Sequence, residues 1–177
     1  MISLSKAITD EEIEAAAKYF SALKPRWTVK VVETDMVPKT FVAGWFLADM
    51  KSGEKEPIGQ RIIEVPENLD QFESRDTHSS FIAYAPVGSI KKGEALVLSG
   101  GDGKTLPCAA CHGADLKGVG LVPPISGRSP SYMVRQLYDI QSGARAGAAA
   151  AQMRPVVKKL NVEDMAAIAA YLTTSAP

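Results

Sequence analysis

Apolar residues recur at helical spacing through the second half of the chain. In residues 129–142 they fall three and four positions apart, as on one face of a helix, and Gly143 then provides a stop. The same pattern predicts helices over residues 89–99 and 161–172. Gly93 lies inside the first of them, and an interior glycine indicates close approach by another element. The predicted N-caps of the three helices are Ser89, Ser129 and Asn161.

Residues 26 to 88 follow a different pattern. Runs rich in Val, Ile, Phe, Trp and Tyr alternate with Pro and Gly turn residues, which predicts short, antiparallel strands. A segment of this length is too long for a bare linker, so we expect it to pack against the helical part and to cover apolar surface there. The predicted strands are residues 28–34, 40–48, 60–65 and 81–87.

The first 25 residues form a third region. Thr9 and Glu12 have the spacing of a capping box, which predicts the start of an amphipathic helix. When Met1 is aligned with Met153, several positions carry identical residues. This alignment predicts that residues 1–25 are the end of an earlier copy of the C-terminal unit, and that the rest of that copy is lost or truncated. The alternative is that two unrelated helices have similar amino-acid compositions. The identical pairs are Lys6 and Lys158, Glu11 and Glu163, Ala15 and Ala167, Ala17 and Ala169, and Tyr19 and Tyr171.

The candidate chemistry of the chain is concentrated at Cys108, Cys111 and His112. They form a C-x-x-C-H motif, the attachment signal for c-type haem: two thiols on one helical turn add to the haem vinyl groups, and the imidazole that follows binds the iron. Two alternatives stay open, a redox-active dithiol and a zinc site that would also need His78. The dithiol motif normally follows a buried strand, whereas glycine-rich sequence precedes the motif here.

The amino-acid composition excludes some classes of function. Lys and Arg total 20, as do Asp and Glu, so the formal net charge is zero and no global field favours nucleic acid. No apolar run is long enough to span a membrane. Residues 1–18 carry acidic side chains where a signal peptide would carry basic and apolar ones. Covalent haem attachment resembles that of proteins matured outside the cytoplasm, so we expect a periplasmic protein whose leader was removed or left out.

Several longer motifs accompany the haem-attachment signal. Together they resemble class I cytochrome c, and more closely the second haem domain of di-haem cytochromes of the c4 type. The resembling stretch is residues 89–172, about half of the chain, and it implies a mainly α, class I cytochrome c fold for residues 89–177. The patterns described above add an N-terminal helix at 1–25 and a short-stranded, β-containing extension at 26–88. The motifs are CAACHG, PPISGR, SYMVRQLYDIQSGAR, QMRP and EDMAAIAAYL.

The resemblance also assigns the two axial iron ligands, His112 and Met153. Met153 lies in an irregular segment before the last helix, whereas Met133 and Met165 lie on helical apolar faces, where methionine is usually core packing. An ordinary buried methionine is the alternative for Met153. His78 is the competing ligand, but it lies in a polar stretch typical of a surface loop.

Further haem contacts are implied by the resemblance. Pro123 matches the proline whose carbonyl accepts a hydrogen bond from the proximal imidazole, although a simple turn proline is the alternative. Arg145 matches a position near the haem propionates, but a solvated loop arginine fits the sequence nearly as well. The other matched positions are Ile125, expected on the haem face, and Tyr132 and Gln136.

The expected function is transfer of single electrons by one haem c. The haem is attached through two thioethers, and protein side chains fill both axial positions of its iron. Such a protein is a carrier and not an enzyme. It would take electrons from a dehydrogenase or reductase and pass them to an oxidase or another cytochrome, with residues 109–110 and 121–124 as docking surface. The alternatives are a haem subunit of a larger complex, and a peroxidase or gas-binding protein with an open sixth site.

Overall fold

The computed structural model describes residues 2–24 and 26–177. Their helices are α1 (Ile2–Ala7), α2 (Asp10–Ala22), α3 (Leu69–Glu73), α4 (Ser89–Ser99), α5 (Ala109–His112), α6 (Pro130–Ser142), α7 (Arg154–Val157) and α8 (Val162–Thr174), with a 3₁₀ helix at Ala148–Met153. Their strands are β1 (Val29–Glu33), β2 (Met36–Pro38), β3 (Thr40–Ala43), β4 (Phe46–Asp49), β5 (Lys55–Pro57), β6 (Ile63–Pro66) and β7 (Phe81–Ala85). None of the helices in these residues is long and apolar enough to cross a membrane.

The caps of the C-terminal helices follow the sequence signals with one exception. The Ser129 hydroxyl accepts a hydrogen bond from the backbone N–H of Tyr132, and α8 opens with a complete capping box between Asn161 and Asp164. Ser89, however, is the first helical residue of α4 and not its N-cap. That position belongs to Gly88, whose φ of 87° only glycine adopts at low cost. The N-cap residue therefore offers no side-chain oxygen, and the carboxylate of Glu33 accepts a hydrogen bond from the backbone N–H of Ile90 at 2.7 Å instead.

Helices α4, α6 and α8 enclose the larger hydrophobic core. Their apolar stripes meet as the helical spacing predicts, and α8 lies at the centre, with nine of its 13 residues buried. The core side chains are Leu96 and Val97 from α4, Met133, Leu137 and Ile140 from α6, and Met165, Ile168 and Leu172 from α8.

Gly93 is the point at which α4 crosses α8. A Cβ atom on this residue would lie 2.0 Å from the carbonyl oxygen of Ala167 and 2.8 Å from the Cβ of Tyr171. Only a residue without a side chain allows the two backbones to approach this closely. The interior glycine therefore sets the distance between the first and last helices of this unit.

The extension forms a β layer. Strand β7 lies between β1 and β6, and it pairs with β6 in antiparallel fashion but with β1 in parallel, so that Val29 stands opposite Phe81. The prediction of antiparallel strands is wrong for this pair, because residues 34–80 provide the long crossover that a parallel pair requires. The predicted strand 40–48 is also wrong, since the chain turns at Gly44 and pairs β3 with β4 as a hairpin. Strands β2 and β5, which pair with each other, were not predicted.

The β layer packs on the helical unit through a few specific contacts. The indole N–H of Trp27 donates to the carbonyl of Thr173 at 2.9 Å, close to the end of α8. The carboxylate of Glu64 accepts a hydrogen bond at 2.6 Å from the hydroxyl of Ser129, the N-cap of α6. Ile62 packs against the helical core. These contacts fix the extension beside α6 and α8, as expected from its length.

A buried carboxylate, Asp164, joins α8 to the elements around it. Its side chain is fully buried, with Oδ2 2.5 Å from Nζ of Lys104 and Oδ1 3.1 Å from Nζ of Lys92. Burial raises the pKa of this carboxyl, but the hydrogen bonds from Lys104, the Asn161 backbone and Lys92 lower it by more, so the pKa lies below the ordinary value of 3.8. As the pH falls, the Asp164 carboxyl therefore stays ionised in the folded protein after it has begun to protonate in the unfolded chain.

Substitution of Asp164 tests this linkage. We expect Asp164→Asn to lower the free energy of unfolding at pH 7 by about 2 kcal/mol, less than for a fully buried pair because both lysines are partly exposed. The ion pair stabilises fully above the unfolded-state pKa and is lost as the pH falls through the lower folded-state value, so the difference should shrink towards pH 3. Urea unfolding at both pH values measures it, with the more exposed Glu163→Gln as control. A difference that does not change with pH would contradict the prediction.

Candidate haem-binding site

The C-x-x-C-H motif lies on the short helix α5, which is anchored to α4. The backbone N–H of Cys108 donates to the carbonyl of Val97 at 2.9 Å, and that of His112 donates to the carbonyl of Cys108 at 2.9 Å. Cys108 is half-buried, Cys111 is exposed, and both are free thiols. Two thiols on one turn of a helix are therefore presented beside the core, where one planar group can reach both of them.

The imidazole of His112 is buried and has a fixed orientation. Its Nδ1 lies 2.8 Å from the carbonyl oxygen of Pro123, and the residue is 7% exposed. A carbonyl oxygen can only accept, so Nδ1 carries a hydrogen, and in the neutral ring Nε2 is the nitrogen with a free lone pair. An imidazole held in this tautomer by a backbone carbonyl is the arrangement typical of a metal-binding histidine.

The loop after α5 folds back on His112. The backbone N–H of Gly118 donates to the carbonyl of His112 at 2.8 Å, and the carbonyl of Leu116 accepts from Ile125 at 2.9 Å. Leu116 itself is buried with a φ of 61°, which costs energy for a residue with a side chain. Nothing in the sequence indicated that Leu116 helps to place the Pro123 carbonyl. For Gly118, the glycine itself was the available signal, since a Cβ there would lie 2.5 Å from the carbonyl oxygen of Val122.

Met153 ends the 3₁₀ helix and borders the same core as the motif. It is half-buried and packs against the helical cluster, which Cys108, Ala109 and Ile125 also contact. By contrast, Met133 and Met165 are buried within that cluster. Of the three methionines that follow the motif, Met153 is thus the one whose thioether is not enclosed by core side chains.

A second loop, residues 100–107, holds the chain just beyond Met153. The hydroxyl of Thr105 donates to the carbonyl of Val156 at 2.7 Å, and Nζ of Lys159 donates to the carbonyl of Gly103 at 3.2 Å. These bonds join segments about fifty residues apart in sequence, and no local pattern predicted them. They connect the segment before the motif to the segment that carries Met153.

The remaining predicted contacts lie at the surface. Tyr132 is exposed at the start of α6. The guanidinium of Arg145 donates to the side-chain oxygen of Gln136, and the backbone N–H of Arg145 donates to the carbonyl of Asp139 at 2.8 Å. Gln136 and Arg145 thus form one polar group at α6.

The two alternative chemistries find little support in the geometry. Burial, with a smaller contribution from neighbouring Cys111, raises the pKa of the Cys108 thiol to about 11, whereas a reactive dithiol needs a lowered one. Within residues 2–24 and 26–177, no three His, Cys, Asp or Glu side chains group as metal ligands. His78 instead faces Asp76, with its Nδ1 3.1 Å from Oδ1 of that carboxylate.

The donor set fits a c-type haem. The two thiols stand one helical turn apart, Nε2 of His112 has a free lone pair, and Met153 provides a partly enclosed thioether beside the same core. Imidazole and thioether are the axial pair found in cytochromes c. No hydrogen bond or packing contact of these four side chains conflicts with that use.

Comparison with known proteins also indicates a cytochrome c domain. Residues 90–176 match the family model of cytochrome c. Cytochrome c-554(548) of Halomonas halodenitrificans is 37% identical over 75 residues, which are 42% of this chain and 90% of that protein. Cytochrome c4 of Azotobacter vinelandii is 32% identical over 84 residues, 44% of this chain and 40% of that protein. The chain thus spans nearly all of the first relative and less than half of the second.

A solved structure extends the comparison to the rest of the fold. Cytochrome c4 of Acidithiobacillus ferrooxidans aligns with 98% of this chain and 69% of its own, with a TM-score of 0.54 and 22% sequence identity. The predicted cytochrome c fold is thereby confirmed, as is the resemblance to the c4 type.

Proposed function

Because this chain belongs to the cytochrome c family, whose domain binds haem covalently, we propose that it carries single electrons on one haem c. In this proposal Cys108 and Cys111 form the two thioethers, and His112 and Met153 are the axial ligands. When bound, the haem supplies an Fe(III)/Fe(II) couple that accepts and releases one electron.

The hydrogen bond between Nδ1 of His112 and the carbonyl of Pro123, at 2.8 Å, carries this proposal. It fixes the orientation of the imidazole and places a hydrogen on Nδ1, so that Nε2 is the ring nitrogen available to the iron. A ligand that is already oriented needs little rearrangement when the iron changes oxidation state, and small rearrangement favours rapid electron transfer.

Met153 decides between a carrier and an enzyme. A thioether in the sixth position leaves no site for a substrate, and it raises the reduction potential by favouring reduced iron. The 3₁₀ helix and the contact between Thr105 and Val156 place this side chain at the edge of the core. We therefore propose that the chain has no catalytic residues of its own.

Partners would meet the protein beside α5. Val119 and Leu121, in the loop that carries Pro123, are exposed, and so is Cys111 of the attachment motif. Small apolar surface of this kind suits a brief contact with a dehydrogenase or reductase as donor, and with an oxidase or another cytochrome as acceptor. Covalent haem attachment supports a periplasmic location.

One surface favours a second possibility, a haem subunit fixed in a larger complex. In the β3–β4 hairpin, Trp45 at the turn is 76% exposed and Val42 in β3 is 70% exposed. Apolar side chains exposed together are more common at interfaces than on free monomers. Size measurement of the native protein in cell extract distinguishes the two: a free carrier migrates as a small protein, and a subunit with its complex.

The proposed function is tested on protein matured in a host that attaches haem. We expect the mass of one haem per chain, a single one-electron step in potentiometric titration, and the far-red band of methionine bound to ferric iron. The reduced protein should not bind carbon monoxide, because both axial positions are filled. A colourless product, or ready binding of carbon monoxide, would refute the proposal and favour a gas-binding or peroxidase-like haem protein.

A further inference from the structure

The backbone of Met153 is held mainly from its carboxyl-terminal side. On the amino-terminal side, residues 146–152 are exposed apart from Ala150. On the carboxyl-terminal side, Met153 is the N-cap residue of α7, and α7 buries Val157 in the helical core, where it is 1% exposed. The position of the Met153 side chain therefore depends on how α7 is held.

Helix α7 is too short to hold itself in place. It has four residues, whereas isolated helices shorter than about 12 residues are marginal in water. The carbonyl groups in the last turn of any helix also lack partners within that helix. The position of α7 must therefore come from contacts with other elements, and two side chains from distant parts of the chain supply hydrogen bonds to its carbonyls.

Thr105 bonds α7 from the loop that precedes the attachment motif. Its hydroxyl donates to the carbonyl of Val156 at 2.7 Å, and the residue is 8% exposed. The backbone N–H of Thr105 donates to the carbonyl of Gly100 at 3.0 Å, so the hydroxyl is fixed relative to the end of α4. Cys108 follows three residues later. The bond thus joins the segment that leads into the attachment motif to the helix that follows Met153.

Gln141 bonds the same helix from the last turn of α6. Its side-chain nitrogen donates to the carbonyls of Val157 and Leu160, both at 2.6 Å. An amide nitrogen has two hydrogens, so both are used here. Val156 and Val157 are neighbours, and their carbonyls are bonded from two different elements. Helix α7 therefore cannot move away from the core without the loss of one or both of these contacts.

These hydrogen bonds favour one of two states of the site. For an external ligand to reach the sixth position of an iron bound by Met153, the methionine must leave, and α7 moves with it. A bond that is lost in this movement stabilises the closed state, whereas a bond that is equal in both states has no effect on the equilibrium. The apparent affinity for an external ligand then falls in proportion to the fraction of open molecules.

We propose that Thr105 and Gln141 are positioning residues for Met153, and that their hydrogen bonds to α7 hold the methionine in the sixth position against competing ligands. The proposal rests on the proposed function, in which Met153 binds the iron. It adds to that function two side chains outside the ligand set that determine how firmly the site is closed.

The test measures how easily imidazole displaces Met153 in the haem-loaded, ferric, full-length protein. Thr105→Val keeps the shape of the side chain but removes the hydroxyl. We expect this variant to bind imidazole roughly tenfold more tightly than the parent, because a buried hydrogen bond of the closed state is lost. Loss of the far-red band during the titration measures the affinity. Thr105→Ser keeps the donor and should restore the parent's affinity, and Gln141→Leu should tighten imidazole binding as Thr105→Val does.

Thr173→Val is the matched control, because it removes another buried hydroxyl. The hydroxyl of Thr173 donates at 2.8 Å to the carbonyls of Arg128 and Ala169, which lie outside α7. Thr173→Val should lower the free energy of unfolding in urea about as much as Thr105→Val does, but leave the imidazole affinity unchanged. Gln141 is exposed, so Gln141→Leu decides alone if Thr105→Val fails to load haem.

Three results would overturn the proposal while the proposed function stands, provided that the parent shows the far-red band. They are the parent's imidazole affinity in Thr105→Val or Gln141→Leu, failure of Thr105→Ser to restore that affinity, and an equal gain in Thr173→Val. The last would mean that lost stability alone opens the site. A parent protein without the far-red band would refute the ligand pair itself, and this proposal with it.

Discussion

Met153→Ala is expected to convert the protein from a closed electron carrier into one with an open iron site. The far-red band of the ferric protein should disappear, and the reduced protein should bind carbon monoxide. The reduction potential should fall, because a thioether stabilises reduced iron more than oxidised iron and water does not replace that preference. A loss of preference of roughly a hundredfold to a thousandfold corresponds to about 120–180 mV, at 59 mV per tenfold for one electron.

Met133→Leu is the matched control for this substitution. Met133 also follows the motif, but it is buried in the helical core among α6 and α8 side chains. Leucine conserves its volume, so the change should cost less than about 1.5 kcal/mol in stability and leave the potential and the spectra unchanged. Comparison of the two variants separates loss of a ligand from loss of packing.

The prediction is measured by potentiometric titration, by absorption spectra and by carbon monoxide binding on the same preparations. If Met153→Ala kept the far-red band and still excluded carbon monoxide, another side chain would occupy the sixth position. The proposed ligand pair would then be wrong, while the attachment through Cys108 and Cys111 would stand.

The parts of the fold that local chemistry specifies could be predicted from the sequence. Ser129 with Pro130, and Asn161 with Asp164, are complete start signals because their side chains bond backbone N–H groups within the same turn. Gly100 ends α4 in the left-handed conformation, as a glycine at this position predicts. The error at Ser89 has the same origin, since Gly88 provides the N-cap through its backbone freedom and not through a side chain.

The parts that depend on distant residues could not be predicted. The parallel pairing of β1 with β7 joins residues 29–33 to residues 81–85, and the hydrophobic pattern of each strand is compatible with either direction. The bond from Thr105 to Val156 likewise unites two loops whose sequences show no shared pattern. Such contacts arise from how the elements pack, and a local pattern along the sequence does not predict them.

The candidate site combines residues that the local sequence predicted with contacts that it could not predict. The C-x-x-C-H motif is local, so its residues were evident from their order alone. The contact between His112 and Pro123 spans a loop, and only resemblance to a family suggested it before the structure showed the hydrogen bond. The turns at Leu116 and Gly118 that bring the carbonyl into place were not anticipated, because a leucine with positive φ gives no signal in a sequence.

Gly93→Ala is expected to be the most damaging small substitution in the helical unit. The added Cβ would lie 2.0 Å from the Ala167 carbonyl oxygen, and backbone atoms cannot rotate away as a flexible side chain can. Alanine improves the intrinsic stability of the helix by about 1 kcal/mol. Separation of α4 from α8 opposes this gain and disturbs the core along both helices, so we expect a net loss of about 3 kcal/mol or more in the free energy of unfolding.

Gly147→Ala is the matched control, because it adds the same atom where there is room for it. No heavy atom lies within 4 Å of a Cβ at Gly147, and its φ of −58° suits alanine. This variant should change stability by less than about 1 kcal/mol, in either direction. Urea unfolding of the haem-loaded variants, followed by helical circular dichroism, measures both effects. Equal stability of Gly93→Ala and the parent protein would mean that α4 and α8 do not cross at the distance described, because no rearrangement of side chains relieves a clash with a backbone oxygen.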